Sequence, residues 1–269
     1  MEGLVDNMEH ILDVKGLTMD FGGLRAVDSV DLYVDKQEIV ALIGPNGAGK
    51  TTFFNCITGI YNPSQGDIRA LTHSGAVARL NGLKPNRVTE RGLARTFQNI
   101  RLFPTMTVLE NVMIGKHCRM KAKVLGALFR DKKTRAEELK AANESYDILE
   151  KIGLANVCDE QACNLPYGDQ RKLEIARAMA TEPSILLLDE PAAGMNPQET
   201  VELTDLIRQI RNEENISILL IEHDMKLVMN LSERIYVMDH GQKIAEGTPI
   251  EIRNNPEVIK AYLGEDMDA

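Results

Sequence analysis

Ile39-Val40-Ala41-Leu42-Ile43 runs without a polar break into Gly44-Pro45-Asn46-Gly47-Ala48-Gly49-Lys50-Thr51. A short apolar run with no alternation fits a strand covered on both faces, as in a parallel sheet. The residues after it fill the GxxxxGK[ST] pattern, and Thr51–Ile60 continues with helical character. Strand, glycine-rich turn and helix in this order restrict the chain to an α/β fold with a phosphate-binding loop. In such a loop the glycines permit backbone N–H groups to converge on phosphate oxygens. The following helix aims its positive end at the same anion. Gly44, Pro45, Asn46, Gly47, Ala48 and Gly49 form the cradle. Lys50 is expected to meet the β- and γ-phosphates, Thr51 to ligate Mg²⁺ and Thr52 to contact the α-phosphate.

Two further continuous apolar segments, Ile185–Leu188 and Ile216–Ile221, flank a helical stretch at Glu199–Arg211. Strand, helix, strand implies a parallel sheet. Ahead of the phosphate loop, Val30, Leu32 and Val34 alternate with polar residues, which predicts antiparallel, half-exposed strands. Residues 92–180 read as mostly helical, with Glu137–Ile152 the clearest amphipathic run. Extended segments at Ile235–Met238 and Lys243–Ala245 and a helix near Pro256–Leu263 follow. The expectation is a single nucleotide-binding domain over 8–269, with a core of 8–91 and 181–269 and a helical lobe inserted at about 92–180. Residues 67–82 read as a surface loop without chemistry of their own.

A net charge of −9 argues against a protein that coats nucleic acid, which needs surplus Lys and Arg. Cys56, Cys118, Cys158 and Cys163 lack CxxC or Cys/His spacing and read as reduced thiols. The first ten residues lack a secretory pattern, and the apolar runs are far short of the ~20 residues that span a bilayer. A membrane role would have to come through a partner.

Leu186-Leu187-Leu188-Asp189-Glu190-Pro191 places two carboxylates at the end of a buried strand, where ligands bind in open α/β sheets. Asp189 is expected to hold the Mg²⁺ shell. Glu190 would face the γ-phosphate as general base on the attacking water.

Four more segments complete a pattern in fixed order: Thr96-Phe97-Gln98-Asn99, Leu165-Pro166-Tyr167-Gly168-Asp169, Ala193-Gly194-Met195-Asn196 and Ile221-Glu222-His223-Asp224. With the two motifs above, they resemble the ATP-binding-cassette (ABC) ATPases over nearly the whole chain. The resemblance implies a P-loop (RecA-like) ATPase core, an N-terminal antiparallel β-subdomain and an inserted α-helical subdomain. Phe21 lies where the family stacks an aromatic on adenine; an ordinary core Phe is the alternative. Gln98 matches the Q-loop glutamine, which contacts Mg²⁺ or the lytic water, and His223 matches the switch histidine on the γ-phosphate. Asn196 stands in the D-loop, where the family has aspartate. Leu165–Asp169 matches a degenerate Leu-Ser-Gly-Gly-Gln signature, which closes over ATP held by a second subunit. Pro166 replaces the serine, Tyr167 the first glycine and Asp169 the glutamine, which implies unequal ATP sites.

These departures, Glu190–Pro197, Ile221–Met229 and the ending Ile252-Arg253-Asn254-Asn255-Pro256 are similar to one branch. It is the LivG-type ATP-binding subunit of bacterial high-affinity branched-chain amino-acid importers. The branch implies a second, distinct ATPase subunit, with a homodimer open in isolation. It also implies two membrane permeases and, indirectly, a periplasmic or extracellular binding protein. The place is the cytoplasmic face of the inner membrane. Other cargoes (urea, a lipopolysaccharide lipid) stay open. A regulatory or inactive cassette has only Pro166 in its favour. A soluble ABC ATPase of DNA repair or translation usually carries two cassettes or a long coiled coil, and neither is present. A basic segment over 116–135 reads either as a solvated face or as a surface near anionic headgroups and permease loops.

Overall fold

The computed structural model describes residues 8–119 and 132–265. The chain divides into two compact units, 1–95 with 184–269, and 96–183.

The first unit contains, among the described residues, strands β1 (Leu12–Phe21), β2 (Leu24–Val34), β3 (Ile39–Ile43), β4 (Gln65–Leu71), β5 (Val77–Arg79), β6 (Leu93–Arg95), β7 (Ile185–Asp189), β8 (Ser217–Ile221), β9 (Arg234–Asp239) and β10 (Gln242–Gly247). They build an antiparallel sheet in the order β2-β1-β4-β5 and a mixed sheet in the order β10-β9-β3-β8-β7-β6. All five residues of each of β3, β7 and β8 are buried, as continuous apolar runs require. Helix Lys50–Ile57 buries Phe53, Phe54 and Ile57 in one core with Leu12 and Val14 of the antiparallel sheet and Val40 and Leu42 of the mixed sheet.

Register sets the functional edge. Leu42 pairs with Ile221, and Ile221 pairs with Asp189. The chain therefore leaves β3, β8 and β7 at one level, so the phosphate loop, residues 222–224 and Glu190 emerge side by side.

Several boundaries differ from the sequence reading: residues 181–183, expected in the core, fall in the second unit, and three other differences reshape the first unit. The helix after the phosphate loop stops at Ile57, where Thr58 Oγ1 turns back to the Phe54 carbonyl at 2.8 Å. Residues 67–82 are not a plain loop: β4 and β5 pair across a turn in which Thr72 N donates to Ala76 O, with Ile68, Ala70, Ala78 and Leu80 buried. Leu93–Arg95 belongs to the core sheet rather than to the helical lobe, because Leu93 and Ala94 are buried as β6 pairs with β7.

The second unit includes helices Val108–Lys116, Lys132–Lys151 and Tyr167–Met179. Thr107 and Glu110 form a reciprocal cap on the first. Buried Asn111 accepts from Phe103 N at 2.9 Å and donates to Phe103 O at 3.0 Å, fixing the loop before that helix. Of the basic segment, Lys116 is buried between Glu144 and Glu182, 3.0 Å from each. Arg119 donates to the Thr181 and Glu182 carbonyls. These two cations are engaged inside the unit, which removes them from the proposed membrane-facing set. Residues 120–131 lie outside the described residues.

Candidate active site

The phosphate loop leaves β3 at Gly44, whose φ of 150° and close approach to Met238 O exclude a side chain. A Cβ there would lie 2.0 Å from that oxygen. Gly47 has φ 78°, and a Cβ on it would meet nothing within 4 Å. The loop is thus packed at its base and open at its crest. Helix Lys50–Ile57 starts without a side-chain cap. Lys50 is 6% exposed, and its Nζ donates to Gly44 O at 2.6 Å and Pro45 O at 2.8 Å. A desolvated ammonium held over an open glycine turn fits an incoming polyphosphate. Thr51 is exposed and Thr52 half-buried at the start of the same helix.

Among the described residues, no group of three His, Cys, Asp or Glu could hold a metal. Mg²⁺ takes one or two protein oxygen groups together with substrate phosphates. Of the expected ligands in the first unit, Thr51 offers a hydroxyl at the helix start and Asp189 a carboxylate at the end of β7.

Asp189 ends β7. Its Oδ2 accepts from Arg95 Nη2 at 2.6 Å, and both side chains are buried, 5% and 8% exposed. Arg95 Nη1 also donates to Asn55 Oδ1 at 2.7 Å and Thr58 Oγ1 at 3.1 Å. One guanidinium therefore ties the acidic strand end to the helix that follows the phosphate loop. The sequence reading missed Arg95. Its signal was a lone charge after Leu93-Ala94 in an apolar strand, which demands a partner.

Glu190 takes φ 48°, a conformation uncommon outside glycine, and its N–H donates to Ile221 O at 2.9 Å. Its Oε1 lies 2.8 Å from His223 Nε2. Sustained strain of this kind gathers at functional sites. Glu222, also missed, is 3% exposed. It accepts from Ala192 N at 2.8 Å, His223 N at 3.0 Å and Asp224 N at 3.3 Å. Burial pushes its carboxyl above the ordinary range and the Glu190 charge adds to this, while the three backbone donors act against both. Glu222 thereby joins the turn after β7 to the loop carrying His223.

Phe21 closes the β1–β2 hairpin opposite Leu24 and is 41% exposed, so it is not a core residue. It meets Tyr61 edge-on at 5.2 Å. The hairpin is tied to the phosphate loop through Gly241, whose O accepts from Asp28 N and whose N donates to Ala48 O. Asn196 caps helix Pro197–Glu214, accepting from Gln198 N and Glu199 N. Asn and Asp cap equally well, so the asparagine keeps the capping bonds an aspartate could make.

The second unit holds the remaining predicted residues. Gln98 is exposed. Leu165 is buried, Pro166 occupies the cap position of helix Tyr167–Met179 without a side-chain bond, and Gly168 and Asp169 lie in its first turn. Lys50, Asp189, Glu190 and His223 thus share one sheet edge in the first unit, while Gln98 and the signature belong to the second.

Residues 27–193 match the family model described as ABC transporter, and residues 242–268 match that described as branched-chain amino acid ATP-binding cassette transporter. The chain is 52% identical over 257 residues to the high-affinity branched-chain amino acid transport ATP-binding protein LivG of Escherichia coli K12, covering 96% of this chain and 99% of the relative. It is 49% identical to the corresponding protein BraF of Pseudomonas aeruginosa, covering 95% and 98%. Among solved structures, it resembles the ADP conformation of an ATP-binding cassette of an ABC transporter. The TM-score is 0.80 and the identity 30%, covering 96% of this chain and 100% of that one.

Proposed function

The chain belongs to the ABC transporter family, and we propose that it is the ATP-hydrolysing subunit of a branched-chain amino-acid importer. The observation that carries the ATPase reading is Glu190 Oε1 at 2.8 Å from His223 Nε2, at the sheet edge that also bears the phosphate loop. The cargo rests on the LivG and BraF relatives and on the match of residues 242–268.

Each residue takes a definite task. Lys50 and the loop N–H groups bind the phosphates, and Phe21 supports the adenine. Thr51 and Asp189 would hold Mg²⁺, and Gln98 would add to its shell or orient the lytic water. Mg²⁺ supplies charge neutralisation on the phosphates when bound. Glu190 accepts a proton from the attacking water. His223 holds the Glu190 carboxylate in place and faces the γ-phosphate. Asp189 remains anchored by Arg95, and Glu222 keeps the Glu190 turn and the His223 loop in register.

Leu165–Asp169 covers ATP on a second, related subunit, and Asn196 runs along that junction. Pro166 brings neither a hydroxyl nor an N–H, so the site this chain completes on its partner is the weaker one. Two permease subunits at the cytoplasmic face turn closure and reopening into transport, with the second unit as their docking face. A binding protein outside the membrane delivers the amino acid.

Purification of the tagged chain from detergent-solubilised membranes tests this. Two permeases and a second cassette should accompany it, and leucine, isoleucine or valine with their binding protein should raise ATP hydrolysis. Permeases that respond to another solute would overturn the cargo, and recovery with no membrane protein would overturn the importer.

A further inference from the structure

The signature departs from the family pattern at Tyr167, and the second unit gives that residue a partner. Tyr167 and Arg171 stand one turn apart in helix Tyr167–Met179 and share a face. Arg171 is 3% exposed. Its Nη2 donates to the Tyr167 hydroxyl at 3.0 Å, and its guanidinium lies 5.5 Å from the centre of the tyrosine ring. The same fork reaches a different segment: Nη1 donates to the Phe97 carbonyl at 2.8 Å and Nη2 to the Gln98 carbonyl. Glu174, 1% exposed, balances the charge from 3.5 Å. A glycine at 167 would offer no hydroxyl, and a lysine at 171 would be a point charge unable to span these acceptors.

We propose that Arg171, braced by the Tyr167 hydroxyl, is a positioning residue that fixes the Phe97–Gln98 main chain to the start of the signature helix. The loop bearing Gln98 and the signature are then displaced together. On the ATPase reading above, on which this rests, Gln98 serves the nucleotide of its own chain and the signature serves that of the partner. The bracket therefore links the two ATP sites through one side chain.

Arg171→Lys keeps the charge beside Glu174 and loses the fork, and Tyr167→Phe removes the hydroxyl alone. Hydrogen exchange of the full chain without nucleotide reads the bracket directly. In Arg171→Lys, amides of residues 97–102 should exchange about tenfold faster while those of helix Lys132–Lys151 stay unchanged. Tyr167→Phe should shift the same amides by about threefold. In steady state, Arg171→Lys should lower kcat about tenfold, with the ATP Kd, set at the phosphate loop, within about twofold. Unchanged exchange at 97–102 in both variants would overturn the proposal. So would acceleration spread evenly over the second unit, which would mark a purely structural arginine. A wild-type chain that hydrolyses no ATP with its partners would instead overturn the ATPase reading, and the exchange result would still decide the bracket.

Discussion

Alanine at Gly44 would place a methyl carbon 2.0 Å from Met238 O and 3.0 Å from Met238 C. Ordinary contact starts at 3.4 Å, so the loop or the end of β9 must yield by more than an ångström. Overpacking of this kind costs about 1–3 kcal/mol. The backbone at φ 150° adds about 1–3 kcal/mol. Gly44→Ala should therefore destabilise the first unit by about 2–6 kcal/mol. Gly47 is the control. At φ 78° with nothing near its Cβ, alanine there should cost only the left-handed backbone, about 1–2 kcal/mol. The chain has no tryptophan, so urea unfolding followed by far-ultraviolet circular dichroism is the suitable assay. Calorimetric titration with ATP gives the second axis. Gly47→Ala should stay folded yet lose more binding free energy than stability, because its methyl enters the open crest of the loop. A Gly44→Ala chain no less stable than Gly47→Ala would refute the packed-base, open-crest geometry.

Arg95→Met strands the buried Asp189 carboxylate and should cost about 3–5 kcal/mol in thermal or urea unfolding. The double variant with Asp189→Asn should recover most of that loss, and plain additivity would contradict the pairing. Glu222 is held above the ordinary carboxyl range when folded, so its burial costs nothing below the unfolded pKa and most above the folded one. Stability of the wild type relative to Glu222→Gln should then fall as pH rises from about 4 to neutrality. Urea midpoints over that range check the sign, and a rise would refute it. Phe21→Ala should weaken ATP binding by about five- to hundredfold, the value of base–aromatic stacking, while leaving tripolyphosphate binding unchanged. Equal losses for both ligands would place Phe21 away from the base.

The parts legible in the sequence were those with local signals. Ile39–Ile43 is continuous and apolar, and it is β3 to the residue. The phosphate loop and the carboxylates at the end of β7 could be placed because each follows a buried strand. What sets Glu190 beside His223 is the pairing of Leu42, Ile221 and Asp189 across three strands, which no local pattern encodes. Arg95, Arg171 and Glu222 escaped for the same reason. Arg95 and Arg171 each find partners more than seventy residues away, and Glu222 one thirty away. A lone charge in an apolar run was the available hint. The β4–β5 hairpin was hidden because β5 has only three residues. Asn196 looked like a defect in the motif until its capping bonds gave it a local role.

On the proposed function, Glu190 is the base of an ATPase whose phosphate loop binds nucleotide independently of it. Steady-state hydrolysis and ATP binding by Glu190→Gln, purified with its accompanying subunits, test it most directly. Turnover should fall by about 10²–10⁴-fold, the usual contribution of a positioned base. ATP affinity should be kept within about threefold, and light scattering should show the closed pair of cassettes accumulating with ATP. Normal turnover by that variant would contradict the account.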